Sequence, residues 1–285
     1  MKAIGVIGAG VMGRGVAQNL AQVGYQVVLI DISAQILENA KEEIHNNVRF
    51  QAFFNKNKDL PTPEEVLSKI SCVTDYQYLK DVDFVIENVT ESWEIKKAVY
   101  QKMDPICPAH CIFLVNTSCI PITRVAALTK RPTQVIGTHF MNPVPLKSAV
   151  ETIRGYHTSE ETIAAVKALL EAMGKEMILV NDLPGFVSNR ISHLFMNEAA
   201  FVVQDQVATP QEVDDVFKKC YGHKMGPLET ADLIGLDTVV NSLDVLYENY
   251  QDPKFRCCPL LRKMVDAGLY GRKSGQGFYT YETGM

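Results

Sequence analysis

With 285 residues, 47% of them hydrophobic and 21% charged, the chain has enough apolar material for two ordinary domains. Its formal net charge of −5 gives no counterpart to the phosphates of nucleic acid or to an anionic membrane, and neither is expected as a partner. Seven scattered cysteines argue against a disulfide framework, no apolar run reaches the length of a membrane span, and a strand pattern starting at Lys2 leaves no room for a leader, so a cytoplasmic location is expected.

Residues 2–7 (KAIGVI) have the composition of a short buried strand and run into Gly8-Ala9-Gly10-Val11-Met12-Gly13. Residues 14–23 read as a helix, Gly24-Tyr25 as a break, and 26–30 (QVVLI) as a second apolar strand ending at Asp31. An ordinary glycine turn is the alternative reading of G-x-G-x-x-G. The order strand, glycine loop, helix, strand, acidic residue favours a dinucleotide-binding turn instead. Gly8 allows the tight turn, Gly10 leaves the backbone bare where a pyrophosphate approaches, and Gly13 lets helix and strand pack closely. Val11 and Met12 complete the cofactor-binding loop, and the helix that follows offers N–H groups and a partial positive charge that suit phosphate. Asp31 lies where a carboxylate takes both hydroxyls of an adenosine ribose. It would repel a 2′-phosphate, and Ile32-Ser33 brings no arginine, so NAD is expected rather than NADP.

Further on, 35–57 read as a long helix, extended into a hairpin with 64–69 and punctuated by Pro61 and Pro63. Strands are expected at 70–74, 83–88, 112–116 and 135–140, with helices at 95–103 and 121–127. Two more strands, 148–156 and 176–180, flank a helix at 159–173 that Gly174 caps. Such alternation indicates a parallel sheet covered on both faces. Cys107 and Cys111 have the spacing of one helix face, but no second ligand pair accompanies them. No metal site is expected there, only small buried side chains.

The pattern changes at Asn181-Asp182-Leu183-Pro184-Gly185. Beyond it, 187–205, 210–220, 226–250 and 259–267 read as helices, followed by a glycine-rich tail. The expected fold is therefore α/β: an N-terminal Rossmann domain with a doubly wound, mostly parallel sheet over 1–183, then an all-α C-terminal domain over 184–285. Ligands of such sheets bind beyond the carboxyl ends of the strands, which directs Asn116-Thr117-Ser118 and His139 towards the cofactor.

Several short motifs stand beside the glycine loop: IEN-x-x-E at 86–91, NTS at 116–118, HF-x-NPVP at 139–145 leading to Glu151, PGF-x-x-NR at 184–190 and GR-x-SG-x-GFY at 271–279. Through them the chain resembles the L-3-hydroxyacyl-CoA dehydrogenase family over nearly its whole length, its bacterial 3-hydroxybutyryl-CoA branch above all. The resemblance implies NAD-dependent oxidation of the 3-hydroxyl of an acyl thioester to a ketone, and the reverse reduction, in fatty acid metabolism. It implies that His139 is the general base and that Glu151 fixes its tautomer. Ser118 and Asn189 hold the reacting oxygen or thioester, and Asn142 supports the His139 loop or contacts substrate. Glu91, Lys96 and Asn116 serve the nicotinamide side of the cofactor.

These roles answer a physical need, because a secondary alcohol surrenders hydride only if its proton leaves as well, and imidazole titrates near working pH. Asn189 also suits a helix cap and Ser118 a local turn. Asn189 belongs to the second domain, so the resemblance implies a cleft that closes between domains. The remaining histidines lack such partners and read as structural or solvated. An intact Ser118, His139, Glu151 and Asn189 set favours an enzyme over a non-catalytic NAD sensor on the same fold, or over a lyase using the His/Glu pair.

The chain also departs from the family. Where a lysine-rich helix usually meets the CoA phosphates, it has Arg49-Phe50-Gln51-Ala52-Phe53-Phe54, with Arg49, Lys56 and Lys58 as the nearby cations. Asn88 stands where Ala is usual. These changes raise an alternative substrate: an acyl group on an acyl carrier protein, such as a glyceryl thioester bound for a hydroxymalonyl unit. Phe50, Phe53 and Phe54 would then face the carrier, or else pack against the second domain or another subunit. Apolar Leu228, Leu233, Ile234, Leu236, Val239 and Val240, with the family likeness, lead us to expect a homodimer.

Overall fold

The structure, a computed structural model, describes residues 3–54 and 60–282. Lys56, Lys58 and the end of the long helix expected to Asn57 lie outside them, as does the side chain of Phe54. The chain forms two compact units, 1–183 and 184–285.

The first unit holds one eight-stranded sheet: β1 (Ala3–Ile7), β2 (Gln26–Ile30), β3 (Ile70–Val73), β4 (Phe84–Glu87), β5 (Ile112–Val115), β6 (Val135–His139), β7 (Ala149–Arg154) and β8 (Glu176–Asn181). Their spatial order is β3-β2-β1-β4-β5-β6-β7-β8. Every neighbouring pair is parallel except β6 and β7, which run antiparallel. The inner strands are short β-branched and aromatic runs such as FVIE and IFLV, which suits strands buried on both faces. Ile4, Val6, Val85, Ile86, Phe113 and Leu114 are all buried. The covering helices are α1 (Val11–Gln22), α2 (Ala34–Phe54), α3 (Pro63–Leu67), α4 (Trp93–Met103), α5 (Ile122–Ala126) and α6 (Glu160–Ala172). Helix α1 starts three residues earlier than expected, because Gly10 is extended and caps it.

Cys107 and Cys111 are both buried, yet they share no helix, since α4 ends at Met103. They lie in a segment whose carbonyls are gathered by one guanidinium. Arg131 Nη2 donates to the carbonyls of Asp104 at 2.8 Å and Cys107 at 3.1 Å, and its Nε donates to Asp104 Oδ1 at 2.7 Å.

The second unit is helical: α7 (Ser188–Gln204), α8 (Pro210–Asp215), α9 (Pro227–Ile234), α10 (Leu236–Tyr250) and α11 (Pro259–Asp266). Two expected helices differ in detail. The 210–220 run changes to a π-helical turn at Val216–Cys220. The 226–250 run breaks at Gly235, whose φ of 104° is closed to residues with a side chain. The tail folds back onto Asp232, which accepts the N–H groups of Phe278 (3.1 Å) and Tyr279 (3.0 Å) and the hydroxyl of Tyr281 (3.0 Å). Of the residues expected to mark a dimer face, Leu228, Leu236, Val239 and Val240 are buried in this unit's own core, so they do not support one. Leu233 and Ile234 are exposed.

Candidate active site

The glycine loop joins β1 to α1. Gly8 has φ of 89°, and a Cβ on Gly13 would overlap the Gly8 carbonyl oxygen, so neither position tolerates a side chain. A Cβ on Gly10 would meet no protein atom within 4 Å. The space above that peptide is therefore open. Helix α1 begins there with no side-chain cap and no acidic residue in its first turn, which leaves its N-terminal dipole for an anion. Asp31, at the end of β2, is half-buried and does more than the sequence suggested: its Oδ2 accepts the Ala9 N–H at 2.7 Å, tying the loop to the second strand.

Where β5 and β6 end and β7, running the opposite way, begins, the side chains of Ser118, His139 and Glu151 form a line. Antiparallel pairing places His139 directly opposite Glu151, and cross-strand neighbours are within reach of each other. His139 Nδ1 lies 3.0 Å from Glu151 Oε2, and its Nε2 lies 3.3 Å from Ser118 Oγ. Both members of the pair are buried, at 7% and 8% exposure. A carboxylate can only accept, so Nδ1 carries the proton and Nε2 is left as an acceptor for the Ser118 hydroxyl. This is the arrangement of a base held in its working tautomer.

Glu91 shapes the turn that presents Ser118. Its Oε1 accepts from Thr117 Oγ1 (2.5 Å), Ser118 N (3.0 Å) and Cys119 N (3.1 Å), while 41% of its side chain stays exposed. Lys96 is fully buried beneath the strand ends. Its Nζ donates to both oxygens of Glu87 (2.9 and 3.0 Å) and to the Asn116 carbonyl (2.9 Å), and stands 3.8 Å from Glu91. Burial raises the Glu87 carboxyl against the opposing pull of this ammonium. The geometry thus gives Lys96 a bracing position behind Asn116 and Glu91.

A groove of about 980 Å³ opens between α1, α2 and the turn after Asn142. Its walls include Arg14, Gln18, Asn47, Gln51, Asn142 and Pro145. Two features here were missed from sequence. Arg14 lies on the groove wall, 3.7 Å from Glu43. Lys175, only 4% exposed, donates from Nζ to the carbonyls of Val144 and Lys147, each at 2.7 Å. It pins the turn that forms the far wall. A lysine entering a strand directly after the helix-capping Gly174 was the available signal.

Asn189 lies in the second unit, in the first turn of α7, where its carbonyl meets His193 Nδ1 at 2.9 Å. Among the described residues, no group of three His, Cys, Asp or Glu side chains is placed to hold a metal, and no helix is long and apolar enough to cross a membrane.

Comparison with known proteins bears on this geometry. The family model described as 3-hydroxyacyl-CoA dehydrogenase, NAD binding domain, matches residues 3–183, and that of the C-terminal domain matches 185–281. A protein of Bacillus subtilis named "Probable 3-hydroxybutyryl-CoA dehydrogenase" is 45% identical over 282 residues, 99% of this chain and 98% of its own length. The 3-hydroxybutyryl-CoA dehydrogenase of Bradyrhizobium diazoefficiens is 41% identical over 284 residues, 99% of this chain and 96% of its own. The crystal structure of (S)-3-hydroxybutyryl-CoA dehydrogenase from Ralstonia eutropha superposes with a TM-score of 0.95 at 41% identity, covering 99% of this chain and 100% of that one.

Proposed function

This chain belongs to the 3-hydroxyacyl-CoA dehydrogenase family and is an NAD-dependent oxidoreductase of the 3-hydroxybutyryl-CoA dehydrogenase kind. On that premise we propose that His139 is its general base and that a short 3-hydroxyacyl thioester of coenzyme A is its substrate. The observation that carries the assignment is the line from Ser118 Oγ through His139 to Glu151.

The residues present fit NAD: bare Gly10, the uncapped start of α1 with Val11 and Met12, and Asp31 at the end of β2. When bound, NAD supplies the acceptor for the hydride that leaves C3 of the substrate. His139 Nε2 takes the hydroxyl proton as the C3 oxygen becomes a carbonyl, and in the reductive direction His139 returns it. Glu151 keeps Nδ1–H in place and balances the imidazolium charge. Ser118, within reach of Nε2, holds the reacting oxygen. Glu91, with Lys96 and Asn116 behind it, would hold the nicotinamide-side ribose. The groove beside Asn142 receives the thioester arm, whose amide groups match the neutral Asn47 and Gln51 on its walls.

The substrate contact of Asn189 rests on the family likeness. The relatives support a CoA thioester and lend nothing to the carrier-protein alternative, although Phe50 and Phe53 are exposed at 65% and 82%. A homodimer in the cytoplasm completes the reading, supported by that likeness and by exposed Leu233 and Ile234.

The test is NADH consumption with acetoacetyl-CoA, run beside the same acyl group on a carrier protein. Turnover of the CoA thioester is expected, and His139→Gln should lower kcat by about a hundredfold or more with NAD affinity kept. Unchanged turnover in that variant removes His139 as the base, and turnover confined to the carrier protein reverses the substrate assignment.

A further inference from the structure

Asn88 takes no part in the chemistry above, and the sequence marks it only as a departure from Ala. It is the first residue after β4, and its side chain opens a polar relay across three strand ends. Asn88 Nδ2 donates to the Ile86 carbonyl at 2.9 Å. Asn88 Oδ1 accepts Asn116 Nδ2 at 2.8 Å. Asn116 Oδ1 accepts the Phe140 N–H at 3.3 Å. Phe140 follows His139, and its N–H is the first backbone donor beyond β6. Phe140 is 3% exposed, so a lost partner there would leave a buried donor unpaired.

The relay has one sense. A primary amide offers a donor on one side and an acceptor on the other. Asn116 can turn Oδ1 to Phe140 only with Nδ2 towards position 88. Asn88 can receive that Nδ2 only with its own Oδ1 outward, and the bond from its Nδ2 to Ile86 selects this orientation. The main chain of Asn116 is already committed, its N–H to Glu87 O at 2.9 Å and its carbonyl to Lys96 Nζ at 2.9 Å. Rotation of its amide is the freedom that remains. With alanine at 88, nothing on that side opposes a flip that would set Nδ2 against the Phe140 N–H, donor to donor. The relay also lies beside the glycine loop, since the Asn88 Cβ is 3.4 Å from where Gly13 would carry a side chain.

We propose that Asn88 is a positioning residue for the base. It sets the Asn116 amide, which anchors the His139–Phe140 peptide and so holds the imidazole where Nε2 meets Ser118 and Nδ1 meets Glu151. Such preorganisation raises the rate without new contacts to substrate. The inference rests on His139 as the base.

The experiment compares wild type, Asn88→Ala, Asn116→Ala and the double variant, each as the full chain. kcat is measured for 3-hydroxybutyryl-CoA oxidation at saturating NAD. Hydrogen exchange at the Phe140 amide is followed by NMR without ligands. Asn88→Ala should lower kcat about fivefold, an orientation effect, and speed Phe140 exchange about tenfold by opening the site locally. The double variant should be no worse than Asn116→Ala alone, because the two residues act as one unit. Wild-type kcat in Asn88→Ala overturns the proposal, whether or not exchange quickens. Losses that multiply in the double variant also overturn it. Full activity in His139→Gln would strike the base assignment instead, and the exchange measurement reads the relay independently of that outcome.

Discussion

At the residue scale the site depends on which atom of each polar group faces which neighbour. Glu151 shows why. As a carboxylate it can only accept, so it holds the proton on Nδ1 and leaves Nε2 basic. Glu151→Gln keeps the shape but adds an N–H donor, which can turn to Nδ1 and move the ring proton to Nε2, where it silences the base. We expect kcat to fall by roughly ten- to a hundredfold with the KM for substrate nearly unchanged. Steady-state kinetics would check this, and a change confined to KM would contradict the orienting role. His139 and Glu151 were legible in sequence because a histidine at a strand end and a carboxylate twelve residues later sit within recognisable motifs. Asn88 and Lys175 were not. Asn88 stood out only as a departure bearing on substrate and Lys175 carried no motif, and only the fold shows that each is aimed at backbone or amide partners.

At the element scale the alternation of apolar runs with helical spacing was enough to read the sheet, since parallel strands buried on both faces leave an unbroken hydrophobic signature. What escaped was local. A single glycine inside a long apolar pattern reads as a tolerated helical residue, so Gly235 gave no warning that it separates α9 from α10. Apolar residues on helices do not reveal whether they meet their own domain or another, so Leu236 and Val239 read as interface and proved to be core. Lys175 links two elements, reaching from the start of β8 to the turn before β7. Burial lowers its pKa. Between that lowered value and the 10.5 of an ordinary lysine, the unfolded chain binds the proton more tightly than the folded one, so stability gained from this group increases as pH rises through the window. The neutral amine still has donors for both carbonyls. In urea unfolding between pH 7 and 10, wild type should therefore gain stability relative to Lys175→Met, by at most about 1.4 kcal/mol per pH unit. A gap that stays constant or moves the other way would mean that the charge is not burdened by its burial.

At the scale of the whole molecule, the site residues read from the sequence are divided unevenly between the two units: those of the first all fall between Gly8 and Glu151, and Asn189 alone comes from the second. A homodimer predicts a sedimentation mass of twice the chain's 31.7 kDa. A monomer at micromolar concentration would remove that part of the reading and leave exposed Leu233 and Ile234 as ordinary surface residues. The single antiparallel step of the sheet has a kinetic side. The parallel neighbours of this sheet are joined through long crossovers, but β6 and β7 meet after a short loop, and His139 and Glu151 are only twelve residues apart. Closing so short a loop costs little chain entropy, and contacts of low sequence separation form readily. The proposed base and its partner are thus the part of the site that the chain can assemble for itself, before the glycine loop more than a hundred residues upstream has been brought alongside.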